Sequence, residues 1–256
     1  MPRKLKGSAP ATNELSSLPD QSLQLPVPVV SQDDGVMVMH FGSDYIQSQM
    51  LIDNPDFLAL GYTRTMMAFE LFQPVPEKIA LIGLGGGSIA KWCYRHHPEA
   101  SLVVVEINQH VIALRDVFRV PQDQQRFKVI CEDGAKFVAL NTSSFDVLLV
   151  DCFNSDQLPP ELCSQEFYDS CQRTLTEEGL MVANICGKNY RSVVARIRKS
   201  FGGQVLLSRD ALGNTVVFAC NGTPAWAPDE NAESFQKSVK RFERKYRLGK
   251  ALAPKG

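Results

Sequence analysis

From Lys78 onward, short unbroken apolar runs alternate with amphipathic stretches. "KIALIGL", "SLVVVEI", "RFKVICED", "FDVLLVDC" and "LMVANIC" read as strands buried on both faces. Between them, "SIAKWCYRHH", "NQHVIALRDVF", "GAKFVAL" and "SQEFYDSCQRTL" read as helices or helical turns. Strands alternating with helices predict a mostly parallel sheet covered on both sides, with its ligand beyond the carboxyl ends of the strands. After the amphipathic "YRSVVARIRKSF", the runs "GQVLLSR" and "GNTVVFAC" are joined by little more than "DALGN". A parallel connection needs a dozen or more residues, so this last pair is predicted as an antiparallel hairpin. The expected fold is α/β, with seven strands in the main sheet.

Upstream the pattern is weaker. Residues 1–34, rich in Pro, Ser and Gln, read as an arm in which "LQLPVPVVSQDDG" contributes at most an edge strand, because proline has no amide donor. Residues 35–75 hold a strand-like "GVMVMHF", able to form a small hairpin with the arm, and a packing helix over "FLALGYTRTMMAFELF". Residues 76–222 form the ligand-binding domain. Residues 223–256, containing "PDENAESFQKSVKRFERKYRLGK", read as a charged helical tail with a solvated face.

Composition narrows the function classes. The formal charge is −1, so no global field favours nucleic acid or an acidic membrane surface. No apolar run reaches membrane-spanning length, and the basic start lacks a signal-type apolar stretch. The seven cysteines show no CxxC or zinc spacing and read as reduced, buried thiols, which predicts a cytosolic protein. His96 and His97 are adjacent and do not share a helical face, so no metal is expected.

The chemistry concentrates at predicted strand ends. Gly83, Gly85, Gly86 and Gly87 follow the first strand, where missing side chains let a ligand approach the backbone, and Ser88 reads as the N-cap of the next helix. As a dinucleotide fingerprint, Gly83-x-Gly85-x-x-Ser88 has the wrong third residue. Glu106 ends the second strand about twenty residues on, where a carboxylate accepts hydrogen bonds from ribose hydroxyls. Asp133, just past the third strand, either accepts from an adenine amino group or caps the following helix. With the hairpin, this set favours an adenosyl-sulfonium compound over NAD. Asp151 closes the fourth strand, placed either to attract an ammonium and take its proton or to stabilise the following loop. Asn154 and Asp156, in the polar loop after it, are candidate substrate contacts. Cys152 has no activating neighbour in sequence and reads as inert.

Over residues 35–220, "LIGLGGGS", "VVVEIN", "EDGAKF", "FDVLLVDCFN" and "CSQEFYDSC" resemble the spermidine synthase family of polyamine aminopropyltransferases. The resemblance implies a methyltransferase-like sheet, an aminopropyl group moved from decarboxylated S-adenosylmethionine to a small-molecule amine acceptor, and a homodimer without a metal. It also implies that Gln47 lies near the donor's aliphatic tail, that Glu106 and Asp133 (with Gly134 beside it) hold ribose and adenine, and that Asp151 is the general base. The chain departs from the family pattern at Ser88 and Asn154, where aspartates are usual, and at Tyr62-Thr63-Arg64, where Tyr-His-Glu is usual. The family's late Pro-Thr-Tyr is also absent.

These departures remove groups that bind a dication. Arg64 either faces the pocket, where it would repel a diamine and hold a carboxylate, or lies on the wet face of its helix. Three readings follow: an aminopropyltransferase, an S-adenosylmethionine-dependent methyltransferase, or a catalytically silent scaffold of the same fold.

Overall fold

The computed structural model describes residues 25–42, 46–152, 160–187, 189–209, 213–223, 226 and 232–247. Near the N-terminus, β1 (Val29–Asp33) pairs with β2 (Val36–His40), and β2 with β3 (Ser48–Leu51), all antiparallel. The β1–β2 turn is Asp34-Gly35, with φ of 44° and 73°. Two consecutive positive φ values match the right-handed twist of a tight hairpin, which Asp-Gly tolerates. The expected boundary at residue 34 therefore falls inside a turn, and the end of the arm belongs to this small sheet.

The main sheet contains β4 (Lys78–Ile82), β5 (Ser101–Glu106), β6 (Phe127–Cys131), β7 (Phe145–Val150), β8 (Leu175–Ile185), β9 (Val205–Arg209) and β10 (Thr215–Cys220). Their order is β6-β5-β4-β7-β8-β10-β9. The pairs among β4 to β8 are parallel, and β10 runs antiparallel to both β8 and β9. The predicted seven-stranded sheet with a C-terminal hairpin is thus the observed one. The chain winds outward from β4 through β5 to β6, then returns to place β7 on the other side of β4. This reversal opens a crevice at the carboxyl ends of β4 and β7.

Strand periodicity divides the core. Ile79 and Leu81 face one side, with Ile89 and Trp92 of α2 (Ser88–His96). Ala80 and Ile82 face the other, with Phe137 of α4 (Gly134–Leu140), Phe167 and Tyr168 of α5 (Gln165–Thr174), and Val193 and Ile197 of α6 (Tyr190–Ser200). Burial on both faces explains why these strands read as unbroken apolar runs.

One element differs from the sequence reading. The segment "NQHVIALRDVF" is helical only over Gln109–Ile112 (α3), then winds through tight turns that carry Phe118 and Val120 against the glycine loop. The tail is the expected charged helix with a solvated face, α7 (Ala232–Arg247), and its other face is docked: Phe235, Val239 and Phe242 are buried on one stripe. Phe235 meets Phe218 of β10 edge-on, with ring centroids 5.0 Å apart. Glu243 accepts from Thr65 of α1 (Gly61–Met66). Among the described residues, no helix is long and apolar enough to cross a membrane.

Candidate active site

A cavity opens at the carboxyl ends of β4, β5 and β7, where a parallel sheet of this order is expected to bind its ligand. Gly83 leaves β4 with φ of 96°, and a Cβ there would lie 2.3 Å from the backbone oxygen of Asp151. The missing side chain lets the ends of β4 and β7 converge. Of the glycine loop, Gly83 and Gly85 line the cavity together with Ser88.

Gly86 and Gly87 serve a different purpose from ligand approach. A Cβ on Gly86 would strike Phe118 and Ser48, and one on Gly87 would lie 2.3 Å from Val120. They let the loop settle onto its support. Gly87, with φ of 69°, is itself the N-cap of α2, so Ser88 is the first helical residue and not the cap. The loop is further held by Ser48 of β3, whose Oγ accepts from the Gly86 amide at 2.7 Å.

Glu106 receives two backbone amides, from Leu84 to Oε2 and from Asn108 to Oε1, both at 2.9 Å. Burial raises the pKa of its carboxyl, and these amides, which favour the ionised form, oppose the rise. The carboxylate lines the cavity, where a ligand hydroxyl can reach it. Asp133 caps α4: its Oδ1 accepts from Ala135 at 2.7 Å and Lys136 at 3.1 Å. The cap uses one oxygen of a residue that also lines the cavity, so capping and ligand contact are compatible. Gly134 is buried against Ile82, 2.3 Å from where its Cβ would stand, which seats α4 on β4.

Asp151 stands where β7 ends. Its Oδ2 accepts from the Tyr62 hydroxyl at 3.2 Å, and its Oδ1 from Asn184 Nδ2 at 3.1 Å. Burial pushes the carboxyl up to about 6, while these two bonds pull it down. Burial also raises the Tyr62 hydroxyl well above its usual range, as does the adjacent Asp151, so the tyrosine stays a donor. Cys152 lines the cavity, and burial followed by the neighbouring Asp151 raises its thiol well above the ordinary value, in keeping with an inert thiol.

Gln47 also lines the cavity. Arg64 does not: its guanidinium turns back onto the carbonyls of Leu58 and Ala59, correcting both the pocket-facing and the wet-face alternatives, since the residue is buried. Asn154 and Asp156 lie outside the described residues.

Sequence reasoning missed several contributors, Glu161 among them. Asn184 was visible as a polar residue near the end of the apolar run "LMVANIC", and Asn108 as a cap two residues past Glu106. Ser48 carried no signal, because its partner is distant in sequence. Leu25 and Pro26 were absorbed into the arm, yet both line the cavity.

Among the described residues lining the cavity, Glu106, Asp133, Asp151 and Glu161 carry carboxylates and none is Lys, Arg or His. Such a lining favours a ligand with more positive than negative charge.

Comparison with known proteins shows the family. Residues 59–205 match the spermine/spermidine synthase domain. A polyamine aminopropyltransferase of Neisseria meningitidis is 34% identical over 224 residues, covering 86% of this chain and 84% of the relative. One of Chromobacterium violaceum is 36% identical over 205 residues, covering 78% of each. A probable spermidine synthase from Corynebacterium glutamicum superposes with a TM-score of 0.71 at 18% identity, over 90% of this chain and 95% of that one. Human methyltransferase-like protein 13, solved in complex with SAH, gives 0.61 at 21% identity, over 77% and 96%. The structural likenesses speak for the fold alone, whereas the matching domain and the sequence relatives place this chain in the spermine/spermidine synthase family.

Proposed function

We propose that this protein transfers an aminopropyl group from decarboxylated S-adenosylmethionine to an amine. The observation that carries the reading is the charge of the cavity: four carboxylates and no cationic side chain among its described lining residues. Decarboxylated S-adenosylmethionine brings a sulfonium and an ammonium with no carboxylate, so such a lining suits it. Ordinary S-adenosylmethionine adds a carboxylate. Arg64, the cation considered as its partner, is bound to loop carbonyls.

In this reading Glu106 holds the ribose, Asp133 the adenine amino group, and Gln47 lies along the aliphatic tail. The acceptor ammonium is drawn to Asp151 and gives up its first proton to water, leaving the carboxylate ionised. The free amine then attacks the carbon attached to sulfur, its C–N bond forming as the C–S bond breaks with its electron pair on sulfur. Methylthioadenosine leaves as a neutral thioether. The proton lost at nitrogen passes to Asp151, held in register by Tyr62 and Asn184.

The test is incubation with decarboxylated S-adenosylmethionine and a panel of linear diamines and triamines, followed by chromatography. Equal amounts of methylthioadenosine and an aminopropylated amine are expected. Binding of the donor without product from any amine would reject the transferase reading.

A further inference from the structure

The N-terminal strap ahead of β1 lies against the same cavity. Leu25 and Pro26 line it alongside Glu106, Ile107 and Asn108. They precede the small sheet by only a few residues, and that sheet also supplies Ser48, which holds the glycine loop. A buried side chain holds the strap. Asn108 Nδ2 donates to the Pro26 carbonyl at 2.9 Å, while Asn108 Oδ1 accepts from the His110 amide at 3.0 Å, capping α3. The backbone amide of Asn108 is itself bonded to Glu106 Oε1 at 2.9 Å. Asn108 is only 5% exposed, so the bond to Pro26 is sheltered from competing water.

The strap is therefore fastened two residues from the carboxylate assigned to the ribose. Its contribution there is a leucine side chain and a proline ring, which offer apolar cover and no charge. A nucleoside held by Glu106 would meet this cover on one side and the ends of β4 and β5 on the other. The carboxylates that attract the ligand's positive charge come from outside the strap, and Leu25 and Pro26 add apolar surface.

We infer that Leu25 and Pro26 form a wall of the adenosine-binding site, and that Asn108 is the positioning residue that latches this wall in place. The inference rests on the adenosyl reading above and assigns the N-terminal segment a direct part in retaining the nucleoside. Because the latch joins a strap to a surface it covers, its loss acts chiefly on how fast the nucleoside leaves.

Methylthioadenosine, common to the donor and the product, is the probe. Its dissociation constant and release rate are measured by calorimetry and stopped-flow for the full-length parent, Asn108→Asp, Leu25→Ala and the double variant. Asn108→Asp keeps the oxygen that caps α3 and replaces the donor facing Pro26 with an acceptor. Leu25→Ala trims the wall without touching α3, which keeps the test decisive if the first variant folds poorly. Each single variant is expected to release the probe about tenfold faster. The double variant is expected to match the stronger single one, because an unlatched wall no longer contributes.

Release at the parent rate from both single variants would overturn the wall. Multiplying effects in the double variant would overturn the latch. If the parent itself binds neither methylthioadenosine nor an adenosyl-sulfonium donor, the adenosyl reading fails and this inference fails with it.

Discussion

The Tyr62 hydroxyl donates to Asp151 Oδ2 at 3.2 Å across 89 residues of sequence. Tyr62 comes from α1, ahead of the main sheet, and Asp151 from the end of its fourth strand in chain order, so the pair forms only when both elements are seated. A bond to the ionised form lowers a carboxyl pKa, and removing it raises that pKa. Tyr62→Phe is expected to move the acidic limb of the rate profile up by roughly one pH unit, the size of one hydrogen bond to a charged group. An unmoved limb would show that the bond does not control Asp151.

For the parent enzyme, the proposed base must be ionised to work. With Asp151 pushed up to about 6, kcat/KM for an amine is expected to fall as pH drops through that value. The acceptor's own ammonium titrates at higher pH and shapes the other limb.

The same carboxyl makes a stability prediction of definite sign. Its value is about 6 in the folded chain against an ordinary 3.8, so the folded state holds the proton more tightly. Stability from this group is full below about pH 4 and is lost as pH rises through 6. Asp151→Asn cannot ionise, so near pH 8 it is expected to be more stable than the parent by about 3 kcal/mol, a gap that closes near pH 4. Its turnover at saturating donor is expected to fall by about 100-fold or more, beyond any loss of donor affinity. Urea unfolding at two pH values and parallel turnover and binding measurements check both halves. A stability gap that does not depend on pH, or near-parent turnover, would remove the base assignment.

Ser48→Ala leaves the buried Gly86 amide without its acceptor. A loss of about 1–3 kcal/mol is expected by chemical denaturation, together with weaker donor binding, because the amide belongs to the glycine loop. A stable variant with unchanged binding would mean that the loop holds its shape without β3.

Phe235→Ala tests the docking of the tail helix. Phe235 is fully buried between Phe218 and Phe72, so truncation is expected to cost about 3–5 kcal/mol. A solvated tail would lose almost nothing.

Where the sequence reading succeeded, one local pattern was enough. Apolar runs buried on both faces marked the main sheet, and each of Gly83, Glu106, Asp133 and Asp151 sits at or just past a strand end, which the topology then brings to one crevice. It fell short where the partner is remote. Gly86 and Gly87 look like their ligand-facing neighbours in sequence, and only the positions of Phe118 and Val120 reveal them as packing glycines. Arg64 reads from sequence as either a pocket charge or a wet-face residue, and only the carbonyls of Leu58 and Ala59 decide against both. The tail's charges concealed the spacing of Phe235, Val239 and Phe242 that docks it.

The central claim is that this cavity prefers a donor without a carboxylate. Calorimetric titration of the purified protein with decarboxylated S-adenosylmethionine and with S-adenosylmethionine, side by side, tests it most directly. At least tenfold tighter binding of the decarboxylated compound is the predicted result. Equal or tighter binding of the carboxylated compound would contradict the account and favour methyl transfer.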